Sequence, residues 1–187
     1  TWTAMGQVDA NDGRYYYSPA IAGNADGTSV TVVWAAADAN GVFARTWTAG
    51  SGWGTIRTLN GSTTYLDDPA VIYDNNGDIL AVWLYYDGTS ATGLRYAVST
   101  NNGGSWSAAT SVPDATGGTH RWQSLTLDTR NNHVWMAYAA AVSGANRDIS
   151  AKYWNGNTNA WVAGAIAVAT TAEREIRPVI NYVQGAT

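Results

Sequence analysis

Cysteine is absent from the 187 residues, which removes a disulfide framework, a thiolate metal site and a thiol nucleophile together. Charge is scarce as well: Asp, Glu, Lys and Arg make up 13% of the chain, about half the usual share. Ten Lys and Arg against fourteen Asp and Glu leave a net charge of −4, with no basic run anywhere. Phosphate backbones and anionic lipid surfaces are recognised through clustered positive charge, so nucleic acid is not an expected partner. Long hydrophobic runs are missing too. The stretch around 137–142 is among the longest and falls far short of the ~20 apolar residues that cross a bilayer, so membrane insertion is not expected. No leader pattern precedes Thr1, and the expectation is a slice of a longer chain. Apolar residues at helical spacing are also lacking, since no 3.6-residue period runs long enough for a helix.

What the chain does contain is 45% hydrophobic residues, which excludes a disordered polymer, together with 20 Gly, 10 Trp, 11 Tyr and a lone Phe43. That balance suits β surfaces in an extracellular or cell-surface setting.

The sequence repeats itself with a period of 50 to 55 residues. Ser18-Pro19-Ala20-Ile21, Asp68-Pro69-Ala70-Val71 and Arg177-Pro178-Val179-Ile180 are copies of one strand start, and Gln123-Ser124-Leu125-Thr126 stands in the gap. Each is followed by a turn built from Asn, Asp and Gly, as in Asn24–Gly27 and Asp74–Gly77, then by an alternating strand ending in Trp34, Trp83 or Tyr138. A third strand follows in each copy, and a Gly- and Asn-rich turn then leads to Trp53, Trp106 or Trp161 at the start of a fourth. Four antiparallel strands in about 50 residues, repeated in tandem, predict an all-β chain of propeller blades. A β-sandwich is the alternative. The segment beginning at Trp2 matches a fourth strand, so the predicted divisions are an outer strand over 1–11, blades over 12–63, 64–116 and 117–171, and the first strand of a following blade over 172–187.

Ser99-Thr100-Asn101-Asn102-Gly103-Gly104-Ser105-Trp106 resembles the Asp-box, S-x-D-x-G-x-x-W, of sialidase-like (BNR) propellers, with Asn101 where that family usually carries Asp. Thr46–Trp53 is a degenerate copy, and the copy ending at Trp161 keeps little beyond its Trp. The resemblance implies a structural turn on the face away from the functional centre, in which Ser99, Asn101 and Gly103 shape the bend and Trp53, Trp106 and Trp161 fasten the blades. It also implies that a site is built just before each first strand and in the loops joining second to third strands. The residues there are Tyr16, Tyr17, Asp67, Arg121, Trp122, Glu175 and Arg177, with Asp38, Tyr86, Asp87 and Arg147 in the loops. Aromatic rings beside Asp, Arg and His suit carbohydrate, because sugar C–H faces stack on rings while hydroxyls need donors and acceptors. The same residues could instead satisfy buried backbone groups lining a channel.

Two lone histidines, His120 and His133, do not make a metal site, and Asp74, Asn75 and Asp78 belong to a hairpin turn rather than a calcium loop. No metal or other cofactor is expected. The sialidase resemblance implies an arginine cluster and an R-I-P motif, where this chain has Ile176-Arg177-Pro178. On a regular strand, that one-residue displacement turns the side chain to the other face. The expectation is therefore a non-catalytic module binding a glycan or a surface protein, with no catalytic residue assigned. The alternatives are a fragment of a sialidase-like glycoside hydrolase and a structural repeat that self-associates through open blade edges.

Overall fold

The computed structural model describes residues 7–9, 13–36, 41–61, 65–86, 92–115, 120–141 and 146–183. Asp38, Asp87 and Trp2–Gly6 lie outside these residues.

Among the described residues every regular element is a strand, and the strands form three antiparallel sheets. The first sheet holds β1 (Tyr16–Gly23), β2 (Ser29–Ala36), β3 (Gly41–Thr48), β4 (Gly52–Trp53) and β5 (Arg57–Gly61). The second holds β6 (Leu66–Tyr73), β7 (Ile79–Tyr86), β8 (Thr92–Ser99) and β9 (Thr110–Ser111). The third holds β10 (Arg121–Asp128), β11 (His133–Ala141), β12 (Arg147–Asn155), β13 (Ala160–Trp161) and β14 (Ile166–Ala169). Each sheet is a meander running outward from its first strand.

The outermost strand is broken in two of the sheets. Both β4 and β5 pair with β3, and both β13 and β14 pair with β12. Hairpin chemistry explains the tight connections. Asp74 Oδ1 accepts from the backbone N–H of Asn76 at 2.8 Å and of Asp78 at 3.0 Å, while Gly77 supplies the left-handed backbone at φ 80°.

The sheets are apolar on both faces and stack like blades. Trp83, with no exposed surface, lies among Val33, Val42 and Ala44 of the first sheet. Tyr138, at the matching place in the third sheet, lies among Leu80, Val82 and Leu94 of the second. Trp34 occupies the same place in the first sheet, where Tyr16 and Phe43 cover it at ring centroid distances of 6.2 Å.

Polar contacts tie the blades at the turn end. Thr31 Oγ1 meets the hydroxyls of Thr46 at 2.8 Å and Tyr73 at 2.7 Å, and Asn132 Oδ1 accepts from the Asn75 N–H at 2.8 Å. Elsewhere the fully buried Lys152 ammonium reaches Asp114 Oδ2 at 2.7 Å, which also accepts from the Gly164 N–H at 3.2 Å.

The innermost strands β1, β6 and β10 lie side by side. Residues 177–183, expected as a further first strand, run alongside β10, where the N–H groups of Ile180 and Tyr182 donate to the hydroxyls of Ser124 at 3.3 Å and Thr126 at 2.9 Å. They enter no ladder among the described residues, and so carry no strand assignment. The architecture is part of a β-propeller, three blades around one side of an axis.

Candidate functional site

Each inner strand is interrupted at the same level. The register slips between Tyr17 and Ala20 in β1, between Asp67 and Ala70 in β6, and between Arg121 and Ser124 in β10. One residue at each slip adopts a left-handed backbone, with φ 49° at Ser18, 46° at Asp68 and 54° at Trp122, and Arg177 matches them at 54°. An L-residue other than Gly pays roughly 1–2 kcal/mol for that conformation. At Ser18, Asp68 and Trp122 it coincides with a bulge that inserts a side chain the strand alternation would not place there, and Arg177 repeats the conformation outside any ladder.

The four inserted residues and their successors, Pro19, Pro69, Gln123 and Pro178, line a recess of about 430 Å³ at the propeller axis. Gln123, standing where the other copies have Pro, donates from Nε2 to the Asp68 carbonyl and so links neighbouring bulges.

Asp67 and Asp68 are adjacent but do different things. Asp67 is committed to the frame: Oδ1 accepts from Ser18 Oγ at 2.8 Å and the Asp68 N–H at 2.7 Å, and Oδ2 from the Tyr65 hydroxyl at 2.5 Å. Tyr17 is also a brace, donating to the Leu66 carbonyl at 2.7 Å and stacking on Tyr65 with centroids 6.5 Å apart. Asp68 faces the recess. Burial pushes its carboxyl above the usual range, with the Asp67 charge adding to the rise and Arg121 and Arg177 opposing it.

Opposite Asp68, Trp122 carries guanidinium groups on its ring: Arg147 at 5.5 Å and Arg177 at 6.0 Å from the centroid. Arg147 is nearly buried, and burial lowers its affinity for its proton, as do the charges of Arg174 and Arg121. Arg121 Nε is buried without a hydrogen-bond partner among the described residues. Glu175 lies beside this group: its N–H donates to the Arg147 carbonyl at 2.9 Å and its Oε1 accepts from Thr171 Oγ1 at 2.6 Å. Two guanidinium groups thus lie over one indole, with Arg121 and Arg174 close enough to act on Arg147 and with Asp68 and Arg177 in the recess lining, an arrangement that can hold an anionic group beside a stacking surface.

The residues named from sequence divide accordingly. Trp122 and Arg177 line the recess, Asp67 and Arg121 are chain neighbours of lining residues, Glu175 bonds to Arg147, and Tyr17 braces Leu66 beside an outer hollow. Tyr16 does not line the recess: it packs edge-on to Trp34 and Phe43, beside the same hollow of about 330 Å³ on the outer flank of the first sheet. Nor does Tyr86 line the recess; its backbone N–H braces the Tyr65 carbonyl at 3.0 Å. Ser18 and Asp68 were legible as strand starts but not as site residues, because alternation on a regular strand gives no sign of an inserted side chain. The signal that could have found them is the residue before proline, which recurs at three of the four starts. Arg177 lines the recess as well, with the same left-handed backbone but outside any ladder, so the strand alternation that would have turned it away does not apply.

The Ser99–Trp106 turn of the second sheet is held by its own bonds. Ser99 Oγ accepts from the Gly103 N–H at 2.9 Å, Asn101 Oδ1 accepts from the Ser105 N–H at 2.8 Å, and Trp106 packs against the core between the first and second sheets. Trp161 packs against the core between the second and third sheets, and Trp53 lies under the Arg45 guanidinium at 5.7 Å.

No protein-family model and no curated protein matches the sequence. Solved structures do match the fold. The Hadza microbial sialidase Hz136 aligns with TM-score 0.58 at 14% identity, over 78% of this chain and 36% of its own. A protein of unknown function from Dyadobacter fermentans DSM 18053 aligns with TM-score 0.60 at 13% identity, over 81% and 54%. The xylan β-1,4-xylosidase from Bacillus halodurans C-125 aligns with TM-score 0.55 at 12% identity, over 89% and 34%. The chain therefore spans about a third to a half of the length of these structures and shares their propeller fold.

Proposed function

We propose that this chain supplies part of a carbohydrate-active propeller of the glycoside hydrolase kind, with the saccharide held in the axial recess. The observation that carries this reading is the fourfold recurrence of a left-handed residue, which places Ser18, Asp68, Trp122 and Arg177 in the lining of one cavity of about 430 Å³, within the size range of ligand pockets. Trp122 offers a stacking face, Asp68 a carboxyl held toward its protonated form, and Arg177 in the lining with Arg147 over the Trp122 ring a positive charge that favours an acidic sugar. The likeness to a sialidase and to a xylosidase supports the substrate class. The sialidase-like Asp-box character of Ser99–Trp106 and a secreted or cell-surface location belong to the same proposal.

Hydrolysis at a glycosidic bond ordinarily takes two carboxyl groups facing each other across it. Among the described residues Asp68 is the one carboxyl lining the recess. The 187 residues by themselves are thus expected to bind saccharide without turnover. A glycan array carrying neutral and sialylated glycans, run beside fluorogenic aryl xylosides and sialosides, tests both halves. Binding lost in Trp122→Ala with no hydrolysis supports the proposal; the absence of any saccharide binding overturns it.

A competing reading, self-association, is favoured by the apolar residues Ile21, Val179 and Val183, which are 69%, 80% and 83% exposed. Sedimentation velocity across a concentration series separates the two, since a glycan-binding monomer keeps one sedimentation coefficient.

A further inference from the structure

Blades that meet at an axis diverge as they run outward, and between the second and third sheets the gap opens into a cleft of about 590 Å³ on the far side from the axial recess. The local cause is legible. Residues 105–109 carry no strand assignment before β9 begins; the Ser107 N–H still donates to the Val98 carbonyl at 2.8 Å, and Ser105–Ala108 line the space on that edge. The matching gap between the first and second sheets is about 210 Å³ and is filled by the Asn102–Gly104 turn of the box.

We infer that this outer cleft is a second saccharide-binding site, one that takes an uncharged sugar unit. Its lining includes the half-buried Tyr96 with Trp154 and the 105–108 segment, and Tyr96 is held edge-on to Trp154 at 5.4 Å and to Trp161 at 5.9 Å. Rings fixed in this way present apolar surface without losing further freedom on binding. Around them stand Ser105, Ser107, Thr110 and Asn159, with no carboxylate, ammonium or guanidinium in the lining. Asn159 spends its amide nitrogen on Asp78 Oδ2 at 3.1 Å, which leaves its carbonyl oxygen as an acceptor, and the hydroxyls keep unused lone pairs. Aromatic faces ringed by neutral donors and acceptors match a neutral sugar, whereas the arginine-lined axial recess favours an acidic one. This cleft stands independently of the axial reading.

The test is titration of the intact chain with xylotetraose, cellotetraose and 3′-sialyllactose, following the tryptophan indole N–H resonances by NMR, with Trp106 assigned through Trp106→Phe. A neutral tetrasaccharide is expected to shift the Trp106 resonance saturably, with Kd on the order of 1 mM. Ala108→Arg, a change at an exposed lining residue, is expected to weaken this at least about tenfold, with the remaining indole resonances in place as the control for folding. Trp122→Ala leaves the Trp106 shift intact. A Trp106 resonance that stays still up to the solubility limit of both tetrasaccharides overturns the inference, as does a shift that Ala108→Arg leaves unchanged or that Trp122→Ala abolishes. A Trp106 shift with no effect at Trp122 upholds it even where the axial proposal fails.

Discussion

Asp68 is a single carboxyl whose environment sets its chemistry. Burial and the neighbouring Asp67 charge keep it protonated to a higher pH than an ordinary aspartate. Once it ionises, it opposes the arginines that would hold an acidic sugar. Affinity for an acidic glycan is therefore expected to fall as pH rises through the range just above the usual carboxylate value, and Asp68→Asn flattens that profile; isothermal titration across pH reads both. The linkage for stability has the same direction. A carboxyl with a folded-state pKa above its unfolded value contributes stability below the unfolded value and loses it as pH rises through the folded one. Asp114 behaves in the opposite way. The Lys152 hydrogen bond and charge hold its carboxyl below the usual range, so its contribution is present above the unfolded value and disappears as pH falls through the folded one. Removing this partner leaves the lysine charged and buried. Asp114→Ala is expected to lower Tm, whereas Asp114→Ala combined with Lys152→Met, which takes the buried charge away, recovers most of the loss. Scanning calorimetry at neutral and mildly acidic pH checks the pair.

At the scale of elements, the Asp-box turn and the bulges show where local chemistry overrides pattern. Gly103 has φ 78°, and a Cβ built on it would collide with the Thr46 side chain of the neighbouring blade. Gly103→Ala is expected to cost at least about 1–2 kcal/mol from the backbone alone, with more from the displaced Thr46, measured as a lower urea midpoint. The Ser99–Trp106 turn was readable from spacing because its glycine and serine must stand where the bend needs them. The bulges were not readable in the same way. A strand that alternates on either side of an inserted residue looks like one strand in the sequence, and only the recurrence of Pro after Ser18, Asp68 and Arg177 hints at the break. Hence Asp67 was legible as a candidate, while the residue that faces the recess is its neighbour. Tyr16 misled for a related reason: three consecutive tyrosines span both faces of a strand, and all of them precede the bulge at Ser18 that lines the recess.

For the whole molecule, stability resides between the blades more than within them. Trp83 has no exposed surface and belongs to the core shared by the first and second sheets. Trp83→Ala is expected to cost about 3–5 kcal/mol, and Tyr138→Ala to act in the same direction on the core shared by the second and third sheets. If the interfaces unfold together, both variants shift a single calorimetric transition; if the blades are independent, each variant splits it. The all-β class, the repeat and the positions of Trp34, Trp83 and Tyr138 could be read from the period, because every copy has to bury the same place against its neighbour. The convergence of Trp122, Arg147 and Arg177 could not, since residues 25 to 30 apart in sequence meet only when separate strands arrive at one axis.

The inserted residues of the inner strands have a further consequence. Because each stands outside the ladder, exchanging Ser18, Asp68, Trp122 or Arg177 leaves untouched the register that pairs Ala20 with Val33 or Ala70 with Val82. What the recess recognises and what holds the sheets together are thus written at different positions. A library randomised at those four sites should yield mostly folded proteins with diverging ligand preferences, which makes this rim a place where recognition can evolve without renegotiating the scaffold.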